Sequence, residues 1–223
     1  MDQVLTGEAS IDRVVGGLFP GRVALVYGPA GSGKTAFCLR FLGYGVAAGE
    51  PGVLITSEPL EELVALASSV GLDLLQAQES GLLTVLESGS EARPGDQQAL
   101  TELFTRVQAA VQSLGARRMA VDSGRPWLVP PNMERAPQHI FSMVRGLERL
   151  RATAILTLPE PVSEDDRALL DLAQQNVPAV FRLSPPGARE GVPVAEISKL
   201  LGGLPRERVL PLTPAADVSR SEP

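Results

Sequence analysis

A mixed α/β fold is what this sequence predicts: a mostly parallel central sheet flanked by helices, with an antiparallel β-hairpin at its C-terminal edge. Three observations carry the expectation. Short apolar runs alternate with longer helix-like stretches, the pattern of parallel strands joined by helical crossovers. Between the first such run and the first long helix stands Gly28-Pro29-Ala30-Gly31-Ser32-Gly33-Lys34-Thr35, a complete Gly-x4-Gly-Lys-Thr phosphate loop in the strand-loop-helix setting it requires. Near the end, Ser184 to Gly191 is rich in Pro and Gly and separates two strand-like runs, as a hairpin connection would.

Taken in order, the strands are expected at Val23 to Tyr27, Gly52 to Thr56, Leu82 to Leu86, Met119 to Asp122, Ala154 to Leu158, Ala179 to Leu183 and Val192 to Leu200. Helices are expected at Lys34 to Ala48, Leu60 to Val70, Gln97 to Leu114 and Pro137 to Leu150. Pro193 cannot donate to a ladder, which places the last strand near a sheet edge. Residues 1–210 then form one domain, and 211–223, which mix Pro, Ser, Ala and charge without period, form a flexible tail. With 223 residues, 44% of them hydrophobic, the chain can bury one substantial core and has little room for a second.

The phosphate loop dictates its own chemistry. A polyphosphate needs several backbone N–H groups converging from one side, and a tight loop of small residues with φ > 0 supplies them. Gly28, Gly31 and Gly33 are read as giving that freedom. Pro29, Ala30, Ser32 and Ala36 complete the nucleotide-binding set with Lys34 and Thr35. Lys34 is placed to reach the β- and γ-phosphates, Thr35 to give its hydroxyl to Mg²⁺, and the helix that follows aims its positive end at the anion. Arg118-Met119-Ala120-Val121-Asp122 is an apolar strand ending in an acid, and Asp122 is the second expected Mg²⁺ ligand, acting through the ion's water shell. Gly52 to Glu58 is a buried strand ending in a carboxylate. Glu58 is the candidate base that orients and deprotonates an attacking water; the alternative is a helix-start acid, because Glu58, Glu61 and Glu62 crowd the beginning of a helix.

Charge and cysteine content narrow the class. There are 26 acidic and 20 basic side chains, a formal net charge of −6, which argues against a surface built chiefly to grip nucleic-acid phosphates. The single cysteine, Cys38, excludes an internal disulfide and a four-cysteine zinc module and is read as a small buried apolar residue. No apolar stretch is long enough to span a membrane, and the start lacks the features of a signal peptide, so a cytoplasmic protein is expected. His139, the one histidine, lacks partners for metal or acid-base work and is read as capping or packing.

Thr6-Gly7 and Ile11 to Arg22, running into the phosphate loop, resemble the opening of a KaiC/RadA-type RecA-like ATPase. The likeness continues through Glu58 to Asp73, through Met119 to Ser123 as a Walker B strand, through Ala154 to Glu160, and through Ile197-Ser198-Lys199-Leu200-Leu201-Gly202, which is similar to the family's Lys-Leu-Arg-Gly strand. The resemblance implies a RecA-like P-loop NTPase fold, ATP as the nucleotide, a homo-oligomer with ATP sites between subunits, and Lys199 reaching the neighbour's γ-phosphate in trans. On its own, Lys199 reads equally well as a solvated strand-end lysine. Where the family often carries two adjacent acids this chain has Ser57-Glu58, and the finger arginine falls on Leu201. Slow ATP turnover coupled to assembly or a protein partner is therefore expected.

Two other readings stand beside it. One is a recombination accessory protein that binds single-stranded DNA, using loops at Gly124 to Pro137 and Pro159 to Gln175; the first holds Arg125, Trp127 and Arg135, and an aromatic flanked by cations stacks bases. Against it, the second loop is acidic and would repel phosphates, and Trp127 more often packs inside its own or a neighbouring subunit. The other is a nucleotide-binding interaction module that does not hydrolyse.

Overall fold

The computed structural model describes residues 3–88, 97–186, 192–206 and 208–213. A short helix α1 (Ala9–Val15) leads into β1 (Val23–Gly28), and the phosphate loop connects β1 to α2 (Lys34–Ala47). There follow β2 (Gly52–Thr56), α3 (Leu60–Ser69), α4 (Leu74–Glu79), β3 (Leu83–Glu87), α5 (Gln97–Leu114) and β4 (Arg118–Asp122). The chain continues through α6 (Arg125–Leu128), a 3₁₀ turn at Met133–Arg135, α7 (Ala136–Arg149), β5 (Thr153–Pro159) and α8 (Glu164–Asn176). It closes with β6 (Ala179–Ser184), β7 (Val194–Leu200) and β8 (Val209–Pro211).

The strands lie in one sheet in the order β3-β2-β4-β5-β1-β6-β7-β8. The first six in that row are parallel, whereas β7 runs antiparallel to β6 and β8 antiparallel to β7. Side chains alternate along each strand between two apolar cores, one on each face. On β1, Ala24 and Val26 join Phe37, Phe41, Leu63 and Leu74 beneath α2, α3 and α4. Val23 and Leu25 join Val107, Trp127, Ile140 and Leu169 beneath α5 to α8. Burial on both faces is why these strands read as continuous apolar runs. Because they are parallel, their C-terminal ends share one rim, and the phosphate loop stands there between the ends of β5 and β6.

Three sequence expectations are corrected. The segment Pro159 to Gln175 is not a loop for most of its length but the helix α8. Ser163 caps it by accepting from the Asp166 amide at 3.1 Å, and Glu164, Asp165 and Asp166 sit in its first turn, where the helix dipole favours negative charge. The stretch Gly124 to Pro137 likewise carries α6 and the 3₁₀ turn. At the far end, Pro211 belongs to β8, Leu212 is buried, and Thr213 donates from its amide and hydroxyl to Glu8 Oε1 at 3.1 and 2.8 Å, so the packed chain extends past 210. Residues 214–223 of the expected tail, and 187–191 of the hairpin connection, lie outside the described residues.

Candidate functional site

Each residue of the phosphate loop is held by a different physical constraint. Gly31 and Gly33 take φ of +74° and +89°, and a Cβ built on either would meet nothing within 4 Å, so these positions need glycine for backbone conformation while the space above them stays open. Gly28 is different, and here the sequence reading is corrected: its φ is not in the left-handed region, but a Cβ would fall on the Leu183 carbonyl oxygen of β6. Glycine is required there by close approach of two backbones, not by turn geometry. Ser32 is fully buried and its hydroxyl has no hydrogen-bond partner among the described residues. An orphaned buried hydroxyl beside an open, left-handed glycine cradle is what a phosphate-binding loop presents before its anion arrives.

Lys34, the first residue of α2, folds back so that Nζ donates to the carbonyls of Gly28 and Pro29, both at 2.8 Å. Burial draws its ammonium below the ordinary lysine range; Asp122 and Glu160 are near enough to pull the other way. Asp122 stands at the end of β4, 6% exposed, and accepts from the Thr157 hydroxyl of β5. The Asp122–Ser123 peptide is cis. Thr35 and Glu58 line a common cleft with Glu62, Leu63 and Leu66. Glu58 itself is exposed, and its amide donates to Thr56 Oγ1 at 3.0 Å, turning the chain out of β2. Phosphate loop, strand-end acid and candidate base therefore meet at one rim, and a hydroxyl with a nearby carboxylate is a donor set suited to Mg²⁺.

Lys199 is not brought to this rim. It pairs with Val180 near the start of β6, at the opposite end of the sheet, where Nζ donates to the Gln174 and Gln175 carbonyls at 2.6 and 3.3 Å. Those carbonyls end α8, a favourable place for a cation. Trp127 offers no surface for base stacking: it is 1% exposed and packs edge-on against Phe104, ring centroids 6.2 Å apart. Arg125 is held by Asp166 at 2.9 Å. His139 pairs Nε2 with the Trp127 carbonyl at 3.0 Å, a packing role. Cys38 is fully buried beneath the loop, and burial pushes its thiol pKa well up.

Two residues beside the loop were not singled out from the sequence. Thr157 sits inside an apolar run, and a lone polar residue there was the available signal. Arg182 of β6 pairs at 2.9 Å with Glu160, which follows β5, the strand whose end the resemblance already placed at the family's active-site face; only the three-dimensional strand order makes Arg182 a neighbour of the loop.

A family model described as "ATPase: KaiC" matches residues 4–212, nearly the whole described chain. The chain belongs to the KaiC-like ATPase family. Its sheet, mostly parallel with an antiparallel C-terminal pair, is the RecA-like fold of an ATP-binding P-loop ATPase. Among curated proteins, this KaiC-like chain is 32% identical over 150 residues to the circadian clock oscillator protein KaiC of Synechococcus elongatus, covering 64% of the chain and 28% of KaiC. It is 32% identical over 171 residues to a UPF0273 protein of Methanopyrus kandleri, covering 70% and 66%, and 30% identical over 178 residues to one of Aeropyrum pernix, covering 74% and 71%. The chain thus spans little more than a quarter of KaiC and about two thirds of the archaeal relatives. Among the described residues no helix is long and apolar enough to cross a membrane.

Proposed function

We propose that this KaiC-like domain binds ATP at the phosphate loop and hydrolyses it slowly, in the cytoplasm, at interfaces between copies of itself, with assembly or a protein partner reading the nucleotide state. The observation that carries this is the meeting of Lys34, Thr35 and Asp122 with Glu58 at one open rim. Loop amides and Lys34 hold the phosphates; Glu58, exposed on the same cleft, orients a water toward the terminal one. Thr35 and Asp122 would hold Mg²⁺, whose charge would neutralise the phosphate oxygens as the bond to the leaving group breaks. Lys199, remote from its own loop, would have to leave the Gln174 and Gln175 carbonyls to meet a neighbour's, and would stabilise transferred charge there. Slow turnover follows from Ser57 and Leu201, which withhold a second acid and a second cation.

The test is molar mass by light scattering with Mg²⁺ and ATP, ADP or no nucleotide, with phosphate release followed in the same samples. ATP-driven assembly with slow release that Lys199→Ala abolishes supports the reading. A monomer that binds nucleotide without release removes hydrolysis and leaves a binding module; rapid release by the isolated monomer removes the slow, interfacial part.

A further inference from the structure

The end of the sheet opposite the phosphate loop holds a cleft that nucleotide binding leaves unused. Strands β1, β4 and β5 begin there, and the length of a six-residue strand puts it about 20 Å from the loop. The cleft has a volume of about 130 Å³, and Gly21, Glu50, Arg117, Arg151 and Thr153 are among the residues that line it. Its charge is one-sided. Glu50 is turned onto the buried Arg118, whose Nε donates to Oε2 at 2.7 Å. Glu148, in the last turn of helix before Arg151, is taken by Arg22 and Arg145. Arg117 and Arg151 are exposed, and neither guanidinium has an ion-pair or hydrogen-bond partner among the described residues. Thr153, 2% exposed, accepts from the Gly21 amide at 3.0 Å, and its own hydroxyl proton has no acceptor among the described residues.

The backbone singles out the same place. Arg151 follows the end of α7 with a φ of +64°, and among the described residues no other non-glycine enters the left-handed region. Glycine ordinarily stands just past a helix end in this conformation, because a Cβ is strained there. An arginine is costlier to hold, so what it supplies is its side chain. We propose that this cleft binds a small tetrahedral oxyanion of the phosphate class, free or as the monoester end of a small molecule, through Arg117, Arg151 and the Thr153 hydroxyl. The Thr153 amide donates to the Arg117 carbonyl at 2.9 Å, which fixes the starts of β4 and β5 side by side and brings the donors to one cleft. Guanidinium forks match phosphate oxygens, and a hydroxyl adds a further donor, so a group with three or four acceptor oxygens uses the set more fully than a carboxylate does. The volume favours a small anion, since pockets for drug-sized ligands begin at about 300 Å³. With Glu50 neutralised by Arg118, an arriving dianion meets two uncompensated positive charges.

The experiment is equilibrium dialysis of the full chain, without nucleotide, against labelled inorganic phosphate at an ionic strength fixed with chloride. Lys34→Ala removes the phosphate loop's own grip, and Arg117→Gln and Arg151→Gly are each added to it. Lys34→Ala should still bind one phosphate, and either arginine replacement should weaken that binding about tenfold or more, the scale of one charge-assisted hydrogen bond. Arg151→Gly in the parent chain should also raise the melting temperature of the phosphate-free protein by about 2–4 °C, as strain is relieved. Binding lost entirely in Lys34→Ala overturns the site, because the loop then accounts for it. Unchanged affinity in the arginine variants overturns it too, as does a lower melting temperature for Arg151→Gly, since the arginine would then be structural. Glycerol 3-phosphate displacing the label more tightly than phosphate assigns the site to monoesters, and weaker displacement assigns it to free phosphate; both uphold it. Acetate displacing the label as well as phosphate does overturns the phosphate class and turns the cleft into a seat for a partner's carboxylate. If Lys34→Ala does not fold, Arg151→Gly in the parent chain must remove one bound phosphate at saturation, and an unchanged stoichiometry is equally decisive.

Discussion

At the scale of single residues, the site is governed by Lys34. Its Nζ now satisfies itself on the Gly28 and Pro29 carbonyls, and to meet a phosphate it must exchange them for an anion while remaining charged. Burial sets its folded-state pKa below the 10.5 of an ordinary lysine. Between those two values the unfolded chain holds a proton that the folded protein has released, so stability from this group rises with pH in that window. Nucleotide affinity moves the other way. It should hold steady through neutral pH and decline as pH climbs through the folded pKa, before free lysine titrates. Calorimetric ATP titrations across the alkaline range check this, and Lys34→Arg should hold its remaining affinity level there. Glu58 makes a separable prediction. Glu58→Gln keeps shape but removes the proposed base, so kcat should fall by about 10²-fold or more with KM little changed, measured by phosphate release. An unchanged kcat would return Glu58 to a helix-start acid.

At the scale of elements, the two kinds of glycine in the loop separate fold from function. Gly28→Ala must push β1 away from the Leu183 backbone, and neither strand can yield without breaking the ladder, so a loss of several kcal/mol is expected, about the range of severe core overpacking. Gly31→Ala meets open space and costs only about 1–2 kcal/mol of left-handed backbone strain, yet it puts a methyl into the cradle. Chemical denaturation should rank Gly28→Ala as far the less stable, while nucleotide affinity should suffer in Gly31→Ala even where it stays folded. The sequence made much of this level legible. The strands β1, β2, β4 and β5 fall within a residue or two of the apolar runs, because burial on both faces keeps them mostly apolar, with only a few buried polar residues such as Thr56 and Thr157 among them. Helices α1, α4, α6 and α8 were not expected, α6 being a single turn within a stretch read as a loop. The first two are short, and α8 opens on three acids that resemble a polar loop until Ser163 is recognised as a cap. Of the candidate site, the positions of Lys34, Thr35 and Asp122 at one rim could be expected because motif and strand end are local; the pairing of Glu160 with Arg182 could not, because it depends on β5 and β6 flanking β1.

At the scale of the whole molecule, the segment before α1 and the segment after β8 are tied together by a buried charge cluster that composition gives no hint of. Glu8, 1% exposed, pairs through Oε2 with Arg40 of α2 and accepts through Oε1 from Thr213. Asp12 makes a second tie nearby, accepting from the Thr6 and Gly7 amides at 2.8 and 3.1 Å. Glu8 thus fastens the segment before β1 and the residues after β8 to the helix that follows the phosphate loop, while Asp12 holds the Thr6-Gly7 turn onto α1. An ion pair so buried adds little when whole, but breaking it strands a charge. Glu8→Gln leaves Arg40 unpaired in a site 8% exposed and should cost about 3–5 kcal/mol. Replacing both partners, Glu8→Leu with Arg40→Met, should recover most of that loss, because no charge remains to be solvated. Ending the chain after Leu210 keeps the ion pair but removes the Thr213 bonds and the Leu212 side chain, and should cost an intermediate amount. Urea midpoints of the three proteins check the order, and a double replacement no more stable than Glu8→Gln would mean that packing around Arg40, not its charge, is what the cluster supplies.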